Sequence, residues 1–310
     1  MKYAYLGTDW FSAEVLKRLI KEYRSPAVVI TQKPKPRGRG LKLYPSEVEE
    51  VASDDRIPVI GISSFEELRG KTGEFNSIDA IVVCSFGLYI PSWFTALFSK
   101  GTFNFHPSLL PRYRGAAPIQ RSLMNGDDIT GVSIIEVSEE MDAGQIYDQV
   151  TVNIDIYDSY ETLSRKLIDA GVPVLIDVLR KAEEGKLSAF PQKGEPTYAP
   201  KIGKGEQWID WNKSALEIHN KIRALSPRPG ARTILRGSQL KILETRPYAD
   251  AETELEPGTV ASTAGDSFMV ATGKGLLEIF RVQPENRRVM TSSDFINGYR
   301  LKIGEILHSL

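Results

Sequence analysis

The sequence predicts an α/β chain in which a doubly wound domain with a mostly parallel sheet is followed by a smaller β-barrel. Three observations lead there. The first half alternates short β-branched or apolar runs with amphipathic stretches. Residues 185–207 lose that pattern in a stretch holding Pro191, Gly194, Pro196, Pro200, Gly203 and Gly205. Beyond one further helical segment, the chain breaks into short apolar runs separated by glycine and polar turns.

Taken in order, strands are expected at residues 3–6, 27–31, 80–84 and 101–105. Between the first two lies a helix over 12–23, because Val15, Leu16, Leu19 and Ile20 recur at helical spacing and make one apolar face. A strand at 131–137 and a long helix at 160–184, with Leu163, Leu167, Ile168, Val172, Leu175, Ile176 and Leu179 turned inward, complete the first domain. Residues 185–207 have linker chemistry with an extended backbone, so the domains are expected at 1–203 and 204–310. The second begins with a helix at 214–225. Strands follow at 233–235, 240–243, 258–261, 267–271 and 276–282, and a closing helix at 292–299. Trp208, Trp211, Trp10 and Trp93 are read as packing anchors.

Composition excludes several classes. With 41% hydrophobic and 25% charged residues in 310, the chain is globular. Cys84, the only cysteine, lies in an apolar run, which removes disulfide frameworks and cysteine-rich metal sites and suits a reducing compartment. The N-terminus runs directly into a strand pattern, so a cytoplasmic location with no membrane partner is expected. A formal net charge of -1 does not announce a nucleic-acid partner. The turn Gly7-Thr8-Asp9-Trp10-Phe11 lacks the glycines that a dinucleotide pyrophosphate requires, so nicotinamide chemistry is not expected. His219 and His308 have no partner at ligand spacing, and no metal is expected.

Three segments can carry chemistry. Asn104-Phe105-His106-Pro107-Ser108 sits at the carboxyl end of a strand, where α/β sheets present their sites; alternation puts Asn104 and His106 on one side and Phe105 on the other. An amide and an imidazole so placed can grip one oxygen, although the pair can equally be a turn former and a satisfied core histidine. Met141-Asp142-Ala143-Gly144 offers a carboxylate partner for His106, or an ordinary Asp-x-Gly turn. The stretch from Lys33 to Lys42 carries five cationic side chains and no acid in a Pro/Gly frame, which suits either a solvated loop or an arm that grips phosphates.

Together these segments resemble the folate-dependent formyltransferases: Asn104-x-His106-Pro107-Ser108-Leu109-Leu110-Pro111, then Gly131-Val132-Ser133, then Met141-Asp142-Ala143-Gly144. Gly38-Arg39-Gly40 with Lys42, the run from Arg112 to Gln120, and Thr197-Tyr198-Ala199-Pro200-Lys201-Ile202 extend the likeness, almost end to end, to members that act on methionyl-tRNA. The opening Gly7-Thr8-Asp9, usually Gly-Thr-Pro, and Glu136 depart from the pattern.

The resemblance implies a Rossmann-like catalytic domain and an OB-like barrel, with 10-formyltetrahydrofolate as donor and the acceptor stem of methionyl-initiator-tRNA as partner. It assigns Asn104, His106 and Asp142 to catalysis. It gives Phe86, Gly87, Leu88, Tyr89, Ile90, Ser108, Leu109, Leu110 and Pro111 to the folate pocket and Arg37, Arg39 and Lys42 to tRNA. A monomer is expected. Two other functions remain open: a formyltransferase acting on a nucleotide-linked amino sugar, and a tRNA-binding protein without the reaction. A glycinamide ribonucleotide formyltransferase would leave the second domain without a purpose.

Overall fold

A computed structural model describes residues 1–37 and 42–310, the side chains of 35–37 and 42 excepted. Two compact units emerge. The first comprises Met1–Pro118, Ile129–Asn153 and Ser164–Ala199; the second comprises Ile119–Asp128, Ile154–Leu163 and Pro200–Leu310.

The first unit is built on β1 (Tyr3–Gly7), α1 (Trp10–Glu22), β2 (Val28–Gln32), the short pair β3 (Lys35–Arg37) and β4 (Lys42–Tyr44), α2 (Glu47–Asp54) and β5 (Val59–Ile62). Then come β6 (Ala80–Cys84), α3 (Ser92–Thr95), β7 (Gly101–His106), β8 (Ile129–Ile135), β9 (Ile146–Asn153) and α5 (Tyr160–Glu183) from Ser164 onward; α4 (Pro118–Asn125), between β7 and β8, belongs to the second unit from Ile119. The sheet order is β5-β2-β1-β6-β7-β8-β9. Five strands run parallel, while β8 and β9 each pair antiparallel to the strand before. Strands β1 and β6 are buried throughout, as a strand covered on both faces must be. Asp9 starts α1 by accepting the Ser12 N–H at 3.0 Å. This N-cap explains why Asp fits a position where proline is usual in similar sequences.

The long helix α5 meets the sheet at a glycine. A Cβ on Gly171 would lie 2.5 Å from Cζ of Phe105 and 2.8 Å from Cγ2 of Val132. Phe105 is only 1% exposed and its ring already packs against Phe11, so it has nowhere to retreat. Gly171→Ala is therefore expected to destabilise the chain by about 1–3 kcal/mol through overpacking. Urea unfolding measures this, and an unchanged midpoint would show that the interface yields.

The second unit contains α6 (Ala215–Leu225), β10 (Ala231–Leu235), β11 (Ser238–Tyr248), β12 (Val260–Ser262), β13 (Phe268–Ala271), β14 (Leu276–Pro284), β15 (Met290–Thr291) and α7 (Ser292–Tyr299). Its sheet runs β10-β11-β14-β13-β12 with every pairing antiparallel, and β15 adds to β14. The last residues close the ring. His308 bridges Ile234 beside β10, and Ile306 bridges Thr259 beside β12. Both free edges are thereby paired, as a small barrel requires. The core gathers Trp211, Ile218, Ile222, Leu240, Phe268, Ile279 and Phe295. Trp211 is a packing anchor as expected, its indole N–H donating to the Thr233 hydroxyl at 3.0 Å.

His219 on α6 is 2% exposed. Its Nε2 donates to the Ile156 carbonyl at 2.8 Å, so Nδ1 accepts from the Thr245 hydroxyl at 2.9 Å; that arrangement fits a neutral ring. Burial, reinforced by the nearby Arg223, holds its pKa below the ordinary 6.5. Below that pH the unfolded chain takes up a proton that the folded chain refuses, so stability falls on acidification until the lowered folded pKa is reached. His219→Gln is expected to flatten the dependence of the unfolding midpoint on pH just below the ordinary 6.5. An unaltered slope would mean that other groups govern this range.

Candidate active site

Parallel strands end at one edge of the sheet, where the loops after β1, β2, β6 and β7 emerge. Strand β7 brings Asn104 and His106 to that edge on the same face. It pairs on one side with β6, Val83 opposite Asn104, and on the other with β8, Ser133 opposite His106. Because β8 runs antiparallel to β7, the loop that follows β8 begins beside Thr102, whose hydroxyl accepts the Val137 N–H at 3.0 Å. That loop carries Asp142.

Its base is pinched tightly. Glu136 N–H donates to the Gln145 carbonyl at 2.9 Å, and a Cβ on Gly144 would stand 1.9 Å from the Glu136 carbonyl oxygen. Only glycine fits there. Asp142 itself has φ +53, in the left-handed region that few non-glycine residues occupy.

The carboxylate of Asp142 is where the expected site residues meet. Asn104 Nδ2 donates to its Oδ1 at 3.2 Å, and the Gly115 backbone N–H donates to Oδ2 at 2.8 Å. His106 Nδ1 lies 3.5 Å from the same Oδ2. The imidazole is 4% exposed, and its Nε2 faces the Tyr113 carbonyl at 3.0 Å. A carbonyl can only accept, so Nε2 carries a hydrogen and Nδ1 is the nitrogen left for chemistry. The second N–H of the Asn104 amide has no partner among the described residues.

The other residues expected in the site lie on both flanks. Phe86 to Ile90 leave the sheet directly after β6. The Phe86 carbonyl accepts from Thr8 Oγ1 at 2.9 Å and Gln32 Nε2 at 2.7 Å, which anchors the segment to the ends of β1 and β2. Phe86 and Ile90 are buried in an apolar cluster that Leu88 and Val137 join at its border. Gly87 is exposed with φ +77, and Tyr89 is 67% exposed. On the other flank, Ser108 is wholly buried and its hydroxyl donates to the Arg112 carbonyl at 2.6 Å. Leu110 packs with Ile135 and Ile146, while Leu109 and Pro111 stay half-buried. Of the three basic positions, Arg37 and Lys42 pair by backbone across β3 and β4, and Arg39 lies outside the described residues.

The motif runs around Arg114 and Thr197, together with Gln192, which no sequence pattern singled out, complete the frame. The Tyr113 N–H donates to Thr197 Oγ1 at 2.9 Å, and Arg114 pairs by backbone with Thr197 and Ala199. Gly115 (φ +123) would bring a Cβ to within 2.9 Å of the Ala199 carbonyl oxygen. Gln192 holds the Asp142 loop from outside. Residues 190–199 are extended, as their prolines and glycines suggest. They nevertheless belong to the first compact unit, bridged at Phe190 to Ile146 and at Tyr198 to Arg114.

An amide, an imidazole and a carboxylate gathered at a strand end are a set of donors and a titratable acid that can polarise a carbonyl oxygen. Residues 1–179 match the formyl transferase family, and 201–300 match the formyl transferase C-terminal domain; the chain belongs to the formyl transferases. Among named relatives, it is 39% identical over 304 residues to methionyl-tRNA formyltransferase of Coprothermobacter proteolyticus, covering 98% of this chain and 99% of that one. It is 40% identical over 317 residues to the protein of that name from Dictyoglomus turgidum, covering 98% of each.

Solved structures share the fold. HypX of Aquifex aeolicus in complex with tetrahydrofolic acid superposes with a TM-score of 0.69 at 18% identity, covering 98% of this chain, which spans about half (48%) of HypX. An N-formyltransferase from Helicobacter canadensis in complex with folinic acid and dTDP-3-aminofucose gives 0.66 at 21% identity, covering 92% of this chain and 99% of that one.

Proposed function

We propose that the chain transfers the formyl group of 10-formyltetrahydrofolate to the α-amino group of methionyl-initiator-tRNA, with Asn104, His106 and Asp142 as the catalytic residues. One observation carries the reading: Asn104, His106 and Asp142 converge at the site edge of the sheet in a chain similar from end to end to methionyl-tRNA formyltransferases. In this reading residues 1–203 form the catalytic domain and 204–310 the tRNA-binding barrel.

The folate supplies an activated one-carbon group; everything else falls to side chains of this protein. When the acceptor amine attacks the formyl carbon, negative charge develops on the formyl oxygen. The second Asn104 N–H and the protonated Nδ1 of His106 are the donors that meet it. Asp142 already binds Asn104 and a backbone N–H, so it orients the first donor, and its Oδ2 faces Nδ1 of the second at 3.5 Å. A lone pair of the same carboxylate takes the proton released by the amine, through one water, and returns it by the same route to the folate nitrogen as the bond from carbon to that nitrogen breaks. The apolar border of Phe86, Leu88, Ile90 and Val137 suits a flat heterocycle, and exposed Gly87 lets it approach the backbone.

Asn104→Ala and His106→Ala are each expected to lower turnover by about two to three orders of magnitude with the fold intact, because each removes an oxyanion donor. Asp142→Asn is expected to be comparably damaging. Formylation of charged initiator tRNA measures all three, and turnover like the wild type in any of them would remove that residue from the assignment. Using a nucleotide-linked amino sugar as acceptor in parallel separates the two formyltransferase readings.

The basic stretch divides a tRNA from a small acceptor, since a stem offers many phosphates and a nucleotide sugar few. Arg39→Ala is expected to weaken tRNA binding and to flatten the log-log salt slope by roughly one unit, leaving folate binding unchanged. If removing the charges of Arg37, Arg39 and Lys42 together left tRNA affinity and its salt dependence untouched, the stretch would have no part in acceptor binding.

A further inference from the structure

We propose that Gln192 is a positioning residue for formyl transfer, holding the Asp142 loop so that its carboxylate meets Asn104 and His106. The inference rests on the reading of those three residues as the transfer site and adds what fixes their geometry.

The amide of Gln192 is used at both ends. Nε2 donates to the Asp142 carbonyl at 2.7 Å and to the Gly144 carbonyl at 2.9 Å, while Oε1 accepts from Arg114 Nη2 at 2.8 Å and Nε at 3.2 Å. Carbonyls on one side and guanidinium donors on the other leave only one orientation of the amide. Arg114 is itself confined, with a side chain 11% exposed and a third contact from Nη1 to Glu140 at 3.0 Å.

These contacts close a ring. Arg114 stands between Tyr113, whose carbonyl fixes the His106 ring, and Gly115, whose N–H holds the Asp142 carboxylate. Through Gln192 the same residue reaches the Asp142 backbone. The carboxylate and the main chain that bears it are therefore gripped from one place, across residues far apart in sequence.

The loop needs such a grip. Asp142 is in the left-handed region at φ +53, and its neighbours Glu139, Glu140 and Met141 are exposed, so little packing holds this turn. Without Gln192, two carbonyls would lose their donor and the carboxylate would be free to shift. A misplacement on the order of 1 Å in a catalytic group costs about a hundredfold in rate. The core of the unit does not depend on the contact, which confines the expected damage to the reaction.

Gln192→Met keeps the length of the side chain and removes every hydrogen bond. Gln192→Glu keeps an acceptor for Arg114 but turns oxygens, not donors, toward the two carbonyls, and serves if the methionine variant folds poorly. Each is expected to lower kcat by about 10- to 100-fold while KM for the folate and for charged tRNA changes by less than about threefold and the thermal midpoint holds. Single-turnover formylation by Gln192→Met, Asp142→Asn and the double variant then tests the route. If Gln192 acts through Asp142, the double variant is expected to be little slower than Asp142→Asn alone. Multiplying defects, or kcat of both Gln192 variants within about twofold of the wild type, would overturn the positioning role. Loss of activity in Asp142→Asn with normal turnover in the Gln192 variants would overturn this inference alone, whereas normal turnover in Asp142→Asn would overturn the site reading beneath it.

Discussion

The structure of the first unit turns on one half-buried carboxylate. Asp142 has 13% of its side chain exposed, and a charge withdrawn that far from water must be met by donors. Its partners come from Asn104 in the sheet, Gly115 in the loop beyond β7, and the imidazole of His106. None lies near Asp142 in sequence. They meet because β8 runs back beside β7, so the chain leaves β8 beside Thr102 and, as it reverses into β9, returns Asp142 to Asn104 and His106. Close approach fixes both the ladder and its reversal: a Cβ on Gly131 would lie 2.1 Å from the Val150 carbonyl oxygen within the β8–β9 pair, and one on Gly144 would meet that of Glu136 at the turn. The two antiparallel strands at the edge of an otherwise parallel sheet are thus the device that delivers an acid to an amide and an imidazole.

The same contacts restrict which atoms can react. His106 gives its Nε2 hydrogen to the Tyr113 carbonyl, and Tyr113 (φ +63) is held in turn by Thr197. Nδ1 is the ring nitrogen left outside that lock. Asn104 divides its two hydrogens, one for Asp142 and one toward the open side. A transferring group needs donors fixed before charge develops, so that no rearrangement is required at the moment of reaction, and hydrogen bonding to fixed backbone provides that.

Much of the fold was legible where one face of an element decides its fate. The apolar run from Ala80 to Cys84 and the helix from Ser292 to Tyr299 coincide with β6 and α7, and the inward residues expected for the long helix are buried in α5. Strand β9 was not anticipated, because Tyr147, Gln149 and Thr151 are only partly buried or exposed and the residues between them are not uniformly apolar. Strand β11 runs to Tyr248, well past the apolar stretch 240–243, since Glu244 and Arg246 face solvent while Thr245 turns inward. Asn104, His106 and Asp142 were visible by motif, and the alternation of β7 accounts for the first two sharing a face. Thr197 was visible only as part of a motif run, and Gln192 carried no local signal. Each works through partners more than forty residues away, which their neighbours in sequence do not reveal.

That blind spot has a physical cause. Pro191, Pro196 and Pro200 mark residues 185–207 as a stretch that forms neither helix nor sheet, and such composition also marks a free linker. Proline fixes φ and removes an N–H that would otherwise need a partner, so it suits any extended segment, whether it is unattached or pinned at the residues between. Here it is pinned: the Phe190 N–H and carbonyl both pair with Ile146, Gln192 spans two carbonyls and an arginine, and Thr197 and Ala199 bracket Arg114. Composition reports that a segment is extended, but the reason lies in its distant partners. Because Pro200 begins the second unit immediately after Ala199, the extended segment that braces Asp142 and Arg114 is also the covalent path into that unit. The segment whose composition reads as a free boundary is a structural part of the cluster around Asp142.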